Sequence, residues 1–346
     1  MAPGESAAWL GGMLATELTA LSDDLADLET GGRWAVCVDF EGHASLGRFA
    51  TWQSWDAARL PRTWHGPDPT TWSTSLDAHA YQRAVGRIRD YIAAGDVYQA
   101  NLCRVMTAPV DPDADPFALA GVLTAGNPAP HAGAMRLPAV GGSPPRLIAS
   151  ASPELFLSRH GDSLLSRPIK GTAATPGGFL DKDTAENVMI VDLVRNDLSA
   201  VAATGTVTVP EFLAEEQHPG LVHLVSGIAA CLRGGTSWAD IFAATFPPGS
   251  VTGAPKSSAL RIIGELEPVP RGPYCGALGW IDADTGEAEL AVGIRTFWLE
   301  PDAAAPLLLK FGTGAGITWG SDPAQEWRET ELKAARLVGL ASGLRR

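Results

Sequence analysis

Two pairs of carboxylates are the first residues whose types and spacing could do chemistry. Asp183 and Glu186 stand three apart, as do Glu326 and Glu329, so each pair shares a helix face. Carboxylates from two helices suit a hard ion such as Mg²⁺, which takes oxygen ligands and leaves room for substrate oxygens. The same spacing also describes two solvated helix faces. Lys333 follows Glu329 by four and joins that face, as an ordinary salt bridge or, beside a metal, as a holder of a substrate carboxylate. Lys170, in Pro168-Ile169-Lys170-Gly171-Thr172, ends a strand-like run. A lysine there is a loop residue unless burial or a nearby cation lowers its pKa and keeps a neutral, nucleophilic amine. Glu154, in Ser152-Pro153-Glu154-Leu155, could donate a proton if its pKa is raised. Arg295 lies in the apolar run 291–298; its planar fork matches a carboxylate, or it makes an internal salt bridge or faces outward at an edge. Gly312-Thr313-Gly314-Ala315-Gly316 reads as a glycine-rich turn or as an anion nest of backbone N–H groups.

These groups need elements to position them. Apolar periodicity predicts helices over 10–28, 81–94, 181–202, 237–246 and 257–265. It predicts strands over 34–40, 146–159, 163–169, 276–281, 287–298 and 306–311, with 221–232 either strand or helix. Asp322 can cap a last helix, with Pro323 in its first position and Gln325 completing a capping box. Residues 61–75, rich in Pro, Trp and Thr, read as a connector between a short N-terminal subdomain (1–75) and a catalytic domain (76–346). Strands and helices come in runs, not in βαβ alternation, so the expected class is α+β with antiparallel sheets.

The bulk properties narrow the partners. A net charge of −13 argues against nucleic acid or an anionic membrane surface. Cys37, Cys103, Cys231 and Cys275 contain no CxxC pair, which fits free thiols in a reducing compartment. The first 21 residues lack the basic charge of a secretory leader, and no apolar run approaches membrane-spanning length; the expected location is cytoplasmic.

Taken together, the segments from Gly95-Asp96-Val97-Tyr98-Gln99-Ala100-Asn101-Leu102 to Glu326-Trp327-Arg328-Glu329-Thr330 resemble the chorismate-utilising enzymes. Between them lie Ser152-Pro153-Glu154, the Lys170 motif, Lys182-Asp183-Thr184-Ala185-Glu186-Asn187, Arg195-Asn196-Asp197-Leu198, His223-Leu224-Val225-Ser226 and Gly249-Ser250-Val251-Thr252-Gly253-Ala254-Pro255-Lys256. The resemblance covers nearly everything after residue 80 and implies a large α/β sandwich of antiparallel sheets with helices packed outside. It implies Glu186 and Glu329 as direct Mg²⁺ ligands, with Asp183 and Glu326 near or bound through water. Arg295, Tyr274 and the backbone of Gly314, Ala315 and Gly316 would hold the enolpyruvyl carboxylate, with Lys333 near the ring carboxylate. His223 and Thr252 would line the ring beside Gly171 and Thr172, and Glu154 would protonate the departing 4-hydroxyl.

Two positions discriminate within the family. Isochorismate and salicylate synthases carry a water-activating Lys where this chain has Gln99, and anthranilate synthases carry Ala where it has Lys170. The pair Gln99 and Lys170 is similar to aminodeoxychorismate synthase component I, which aminates carbon 4 through a covalent lysine. Leu155, Ser199-Ala200 and Pro248 depart from the family pattern. The alternatives are anthranilate synthase component I and a non-catalytic chorismate-binding protein. No glutaminase motif occurs, so the resemblance implies a separate glutamine amidotransferase subunit as the source of ammonia.

Overall fold

Strand pairing dominates the chain. In the computed structural model, which describes residues 4–173, 175–218, 221–302 and 307–344, the strands join into one curled sheet whose ladders are antiparallel. The first four are β1 (Ala7–Leu10), β2 (Met13–Ser22), β3 (Arg33–Val38) and β4 (Ala44–Ser54). The helix expected over 10–28 is absent. Gly11 and Gly12 take positive φ of 55° and 71°, make a two-residue hairpin turn and pair Leu10 with Met13. Only Leu25–Glu29 is helical there, as a short 3₁₀ turn. The N-terminal segment shares ladders with later strands: β1 with β7 (His131–Leu137) and β3 with β15 (Ala277–Asp282).

After β5 (Ser73–Thr74) come α1 (Ala78–Ala94), β6 (Gln99–Pro109), α2 (Pro116–Gly126), then β7, β8 (Arg146–Ser152), β9 (Leu155–His160), β10 (Ser163–Arg167) and β11 (Ile169–Ala173). Next are α3 (Asp181–Ser199), β12 (Thr208–His218), β13 (Leu221–Cys231), α4 (Trp238–Thr245), β14 (Gly253–Ala254) and α5 (Lys256–Leu266). The chain closes with β15, β16 (Glu287–Val292), β17 (Thr296–Glu300), β18 (Leu308–Ile317) and α6 (Pro323–Ala341). The ambiguous run 221–232 is a strand, held between β12 and β10–β11.

Helices cover the sheet in two principal places. Ile190, Val191, Val194 and Leu198 of α3 and Ile241 and Phe242 of α4 pack on one core; Leu337 and Ala341 of α6 and Phe117 and Leu123 of α2 pack on another. A third cluster joins α1 and α5 through Tyr81, Ile88 and Ile262. α6 has the Asp322 cap and the Pro323 start as read, with the Asp322 carboxylate accepting from the Gln325 N–H, but among the described residues the Gln325 side chain does not return the second bond of a capping box.

Candidate active site

Lys170 lies on β11, where its Nζ donates to the Ser250 carbonyl at 2.7 Å. Burial pulls its ammonium pKa down; Glu186 and Glu154 pull it back up, and the net shift is downward. Glu154 sits between β8 and β9, only 4% exposed, and its Oε1 is buried without a hydrogen-bond partner. Burial raises its pKa, against the lowering effects of Ser250, Lys170, the Ile169 amide and Arg295. A buried acid whose pKa is raised, beside an amine whose pKa is lowered, is the arrangement of an acid–nucleophile pair.

Gly171 makes this approach possible. Its φ is +90°, and a Cβ there would meet Asp183 Cβ at 2.9 Å, so the strand passes directly against the start of α3. α3 is locked on its inner face: Asn187 Nδ2 donates to the Leu224 carbonyl at 3.2 Å, and Ser226 Oγ donates to Asn187 Oδ1 at 2.6 Å. α6 is locked by buried Arg104, whose Nε donates to Thr330 Oγ1 at 3.0 Å and whose Nη2 pairs with Glu331. Thr313 on β18 adds a bond from its hydroxyl to the Thr330 carbonyl at 3.0 Å.

The carboxylates of α3 and α6 thus face a common region. Burial raises the Glu186 pKa, and Glu329 and Asp183 raise it further against Lys170 and Lys182. Burial acts to raise Glu329, but Lys333, at 2.7 Å, together with Lys182 and Lys170 outweighs it and the net shift is downward. Glu326 is buried and raised. Asp183 Oδ2 accepts from the Leu180 N–H at 2.9 Å and so serves the helix end as well. Among the described residues no three His, Cys, Asp or Glu groups close around a metal position. The donor set is nonetheless all oxygen, and a cation between Glu186 and Glu329 would relieve their mutual repulsion, which fits a Mg²⁺ completed by water or substrate oxygens.

Arg295 lies between β16 and β17, outside either strand, in left-handed backbone with φ +53°. The single strand expected over 287–298 is broken here. Its half-buried guanidinium has no hydrogen bond or ion pair among the described residues, and the backbone strain marks a constrained position. Neither a nest nor a turn forms at the glycine run, which is the body of β18, paired residue by residue with β6 from Gly312↔Val105 to Gly316↔Asn101. Its missing side chains leave room for neighbours. A Cβ at Gly312 would strike the Tyr274 ring at 2.0 Å, one at Gly314 would meet Cys103 Sγ at 2.6 Å, and one at Gly316 would meet Gln99 Nε2 at 2.2 Å. Ala315 is buried on the opposite face, against α1. Tyr274 is buried, its hydroxyl 3.9 Å from Cys103 Sγ. Lys333 Nζ donates to the Gly314 carbonyl at 3.1 Å as well as pairing with Glu329, and so ties α6 to β18.

Buried His223 on β13 pairs across the ladder with Thr172, whose side chain lies outside the described residues. Thr252 uses its hydroxyl to close its own turn, on the Pro248 carbonyl at 3.1 Å. Sequence reasoning did not nominate the Ser250 carbonyl or Asn101, whose Nδ2 donates to that same carbonyl at 3.0 Å. The Gly-rich loop 249–255 was the signal available for them. A larger cavity of about 600 Å³, lined by Arg146, Trp298 and Lys310 among others, contains none of the nominated residues.

Comparison with known proteins gives a consistent frame. A family model described as chorismate binding enzyme matches residues 44–339. The chain is similar to anthranilate synthase component 1 of Thermus thermophilus, 38% identical over 273 residues, 75% of this chain and 56% of that protein. It is also similar to an anthranilate synthase component 1 of Haloarcula marismortui, 36% identical over 283 residues, 78% of this chain and 55% of that protein. The chain spans about half the length of these curated relatives. Among solved structures, anthranilate synthase component I from Streptococcus pneumoniae superposes with a TM-score of 0.75 at 24% identity, covering 98% of this chain and 91% of that one. The menaquinone-specific isochorismate synthase MenF from Escherichia coli gives 0.75 at 20% identity, covering 99% and 88%. Identities this low speak for the fold alone.

Proposed function

This chain belongs to the chorismate binding enzyme family, and we propose that within it the chain exchanges the 4-hydroxyl of chorismate for ammonia, giving 4-amino-4-deoxychorismate. The observation that carries this reading is Lys170, held by the Ser250 carbonyl beside buried Glu154 and shifted by burial toward the neutral amine. The guanidinium of Arg295, with Tyr274 and the backbone of Gly314 to Gly316 on β18, suits the enolpyruvyl carboxylate. Mg²⁺ held by Glu186 and Glu329, with Asp183 and Glu326 beside them, would neutralise the ring carboxylate.

The neutral Lys170 Nζ adds to ring carbon 2 as the double bonds shift. Glu154 gives its proton to the 4-oxygen, which leaves as water. Ammonia then adds at carbon 4, the double bonds shift back, and the bond from carbon 2 to Nζ breaks with its electron pair returning to nitrogen. The new amine keeps its surplus proton and leaves as an ammonium group, so Glu154 ends the turnover as a carboxylate that must take up one proton. An amine occupying carbon 2 forces the incoming nitrogen to carbon 4. Ammonia comes from a separate glutamine amidotransferase subunit, or from ammonium salt in its absence.

The relatives named anthranilate synthase component 1 favour a second reading, amination at carbon 2. One incubation separates the two: purified chain, chorismate, Mg²⁺ and an ammonium salt at mildly alkaline pH, with products identified by mass and ultraviolet spectrum. 4-Amino-4-deoxychorismate supports the first reading and anthranilate the second. Unchanged chorismate would point to a binding protein without catalysis.

A further inference from the structure

Behind Glu154 lies a small cavity that the reaction scheme does not use. Its volume is about 20 Å³, and its polar lining comprises Glu154, Ser166, Asp197, Thr245 and Ser250. One water needs roughly 10–15 Å³ of such space and two to four polar partners, so the cavity is sized and furnished for one. Glu154 is nine-tenths buried, and its Oε1 has no protein partner. Asp197, also buried and part of the same lining, is held through Oδ2 by Lys256 Nζ at 2.7 Å. Lys256 is itself fixed by the Thr245 carbonyl at 3.0 Å.

We propose that one water in this cavity passes protons between Asp197 and Glu154, so that Asp197 recharges the general acid from solvent while Lys256 positions Asp197. The inference rests on Glu154 acting as that acid. When Glu154 has lost its O–H bond to the departing oxygen, its carboxylate takes a proton from the water. The water takes one from the Asp197 carboxyl, and Asp197 regains one at its solvent edge, where its side chain is 10% exposed. Each cycle moves one proton inward and leaves water and both carboxyls as they began. Burial, opposed by Lys256, pushes Asp197 up to about 6, which lets it carry a proton transiently near neutrality. The charged groups facing Glu154 are Lys170 and Arg295, and the one facing Asp197 is Lys256.

The test uses the full chain with chorismate, Mg²⁺ and ammonium chloride. Asp197→Asn removes the carrier, and Ser166→Val fills the cavity while leaving the Asp197–Lys256 pair intact. Both should lower kcat by about tenfold or more with KM for chorismate unchanged, and raise the solvent deuterium isotope effect on kcat. As a readout without turnover, the infrared carbonyl band of protonated Glu154, assigned by its loss in Glu154→Gln, should shift in Ser166→Val. Wild-type kcat in both variants overturns the relay, as does a lower kcat with an unchanged isotope effect, which a structural role would give. Full activity in Glu154→Gln would instead remove the general-acid reading, and the relay with it.

Discussion

Lys170 and Glu154 lean on each other electrostatically, and the direction of each shift has a consequence for pH. Lys170 must be neutral to add to carbon 2, and its neutral fraction grows as pH rises through its lowered pKa. Glu154 must be protonated, and its proton is lost as pH rises through its raised pKa. The dependence of kcat/KM on pH is therefore bell-shaped, because the reactive form needs Lys170 neutral and Glu154 protonated at once. A rate that climbs to a plateau and stays there would contradict the role of Glu154. Replacing Glu154 by Gln should cost about 10²–10⁴-fold in kcat, measured at the optimum pH. Lys170→Ala should end 4-amination, and the mass adduct of chorismate on the chain should disappear with it; 4-aminated product at the wild-type rate would sink the covalent role. At this scale the residue types were legible in the sequence. Their protonation was not, because it depends on burial and on Ser250 and Arg295, which are distant in the chain.

Gly171 shows how an element places a residue. Its left-handed backbone and the close Asp183 Cβ bring β11 against α3, and Gly171→Ala should both strain the strand and push the helix away. The expected loss is about 1–3 kcal/mol in urea unfolding, with a large drop in activity. Gly177→Ala is the control: it shares a positive φ of 72° but has open space around it, so activity should persist. Equal losses of activity in the two variants would mean that the contact with Asp183 is unimportant. The sequence signals for α3 and α6 were strong, since Asp322, Pro323 and a long periodic run are local features. The misread hairpin at 10–28 had leucines at helical spacing, yet ladders to β4 and β7 overrode that periodicity. β18 was cut short at the glycine run for the opposite reason. Its glycines look like a turn until Tyr274, Cys103 and Gln99 are seen filling the space above them.

Across the whole molecule, the two carboxylate helices belong to different cores. α3 packs with α4 on one side of the sheet system, and α6 packs with α2 on another. A cation shared by Glu186 and Glu329 would tie the two together, and its binding free energy would then appear as folding stability. At a hundredfold excess over its dissociation constant, Mg²⁺ should stabilise the chain by about 2.7 kcal/mol, read as a shift of the urea midpoint against a sample with chelator. Glu186→Gln should abolish that gain. Without metal the variant should be no less stable than wild type, because burial, with smaller repulsion from Glu329 and Asp183, disfavours the Glu186 carboxylate more than Lys170 and Lys182 favour it. Glu329→Gln should abolish the gain as well but lose the Lys333 pair, a half-exposed contact worth about 0.2–1 kcal/mol. A Mg²⁺-dependent shift that persists in both variants would place the metal elsewhere, and the acidic faces would then be ordinary solvated helix surfaces.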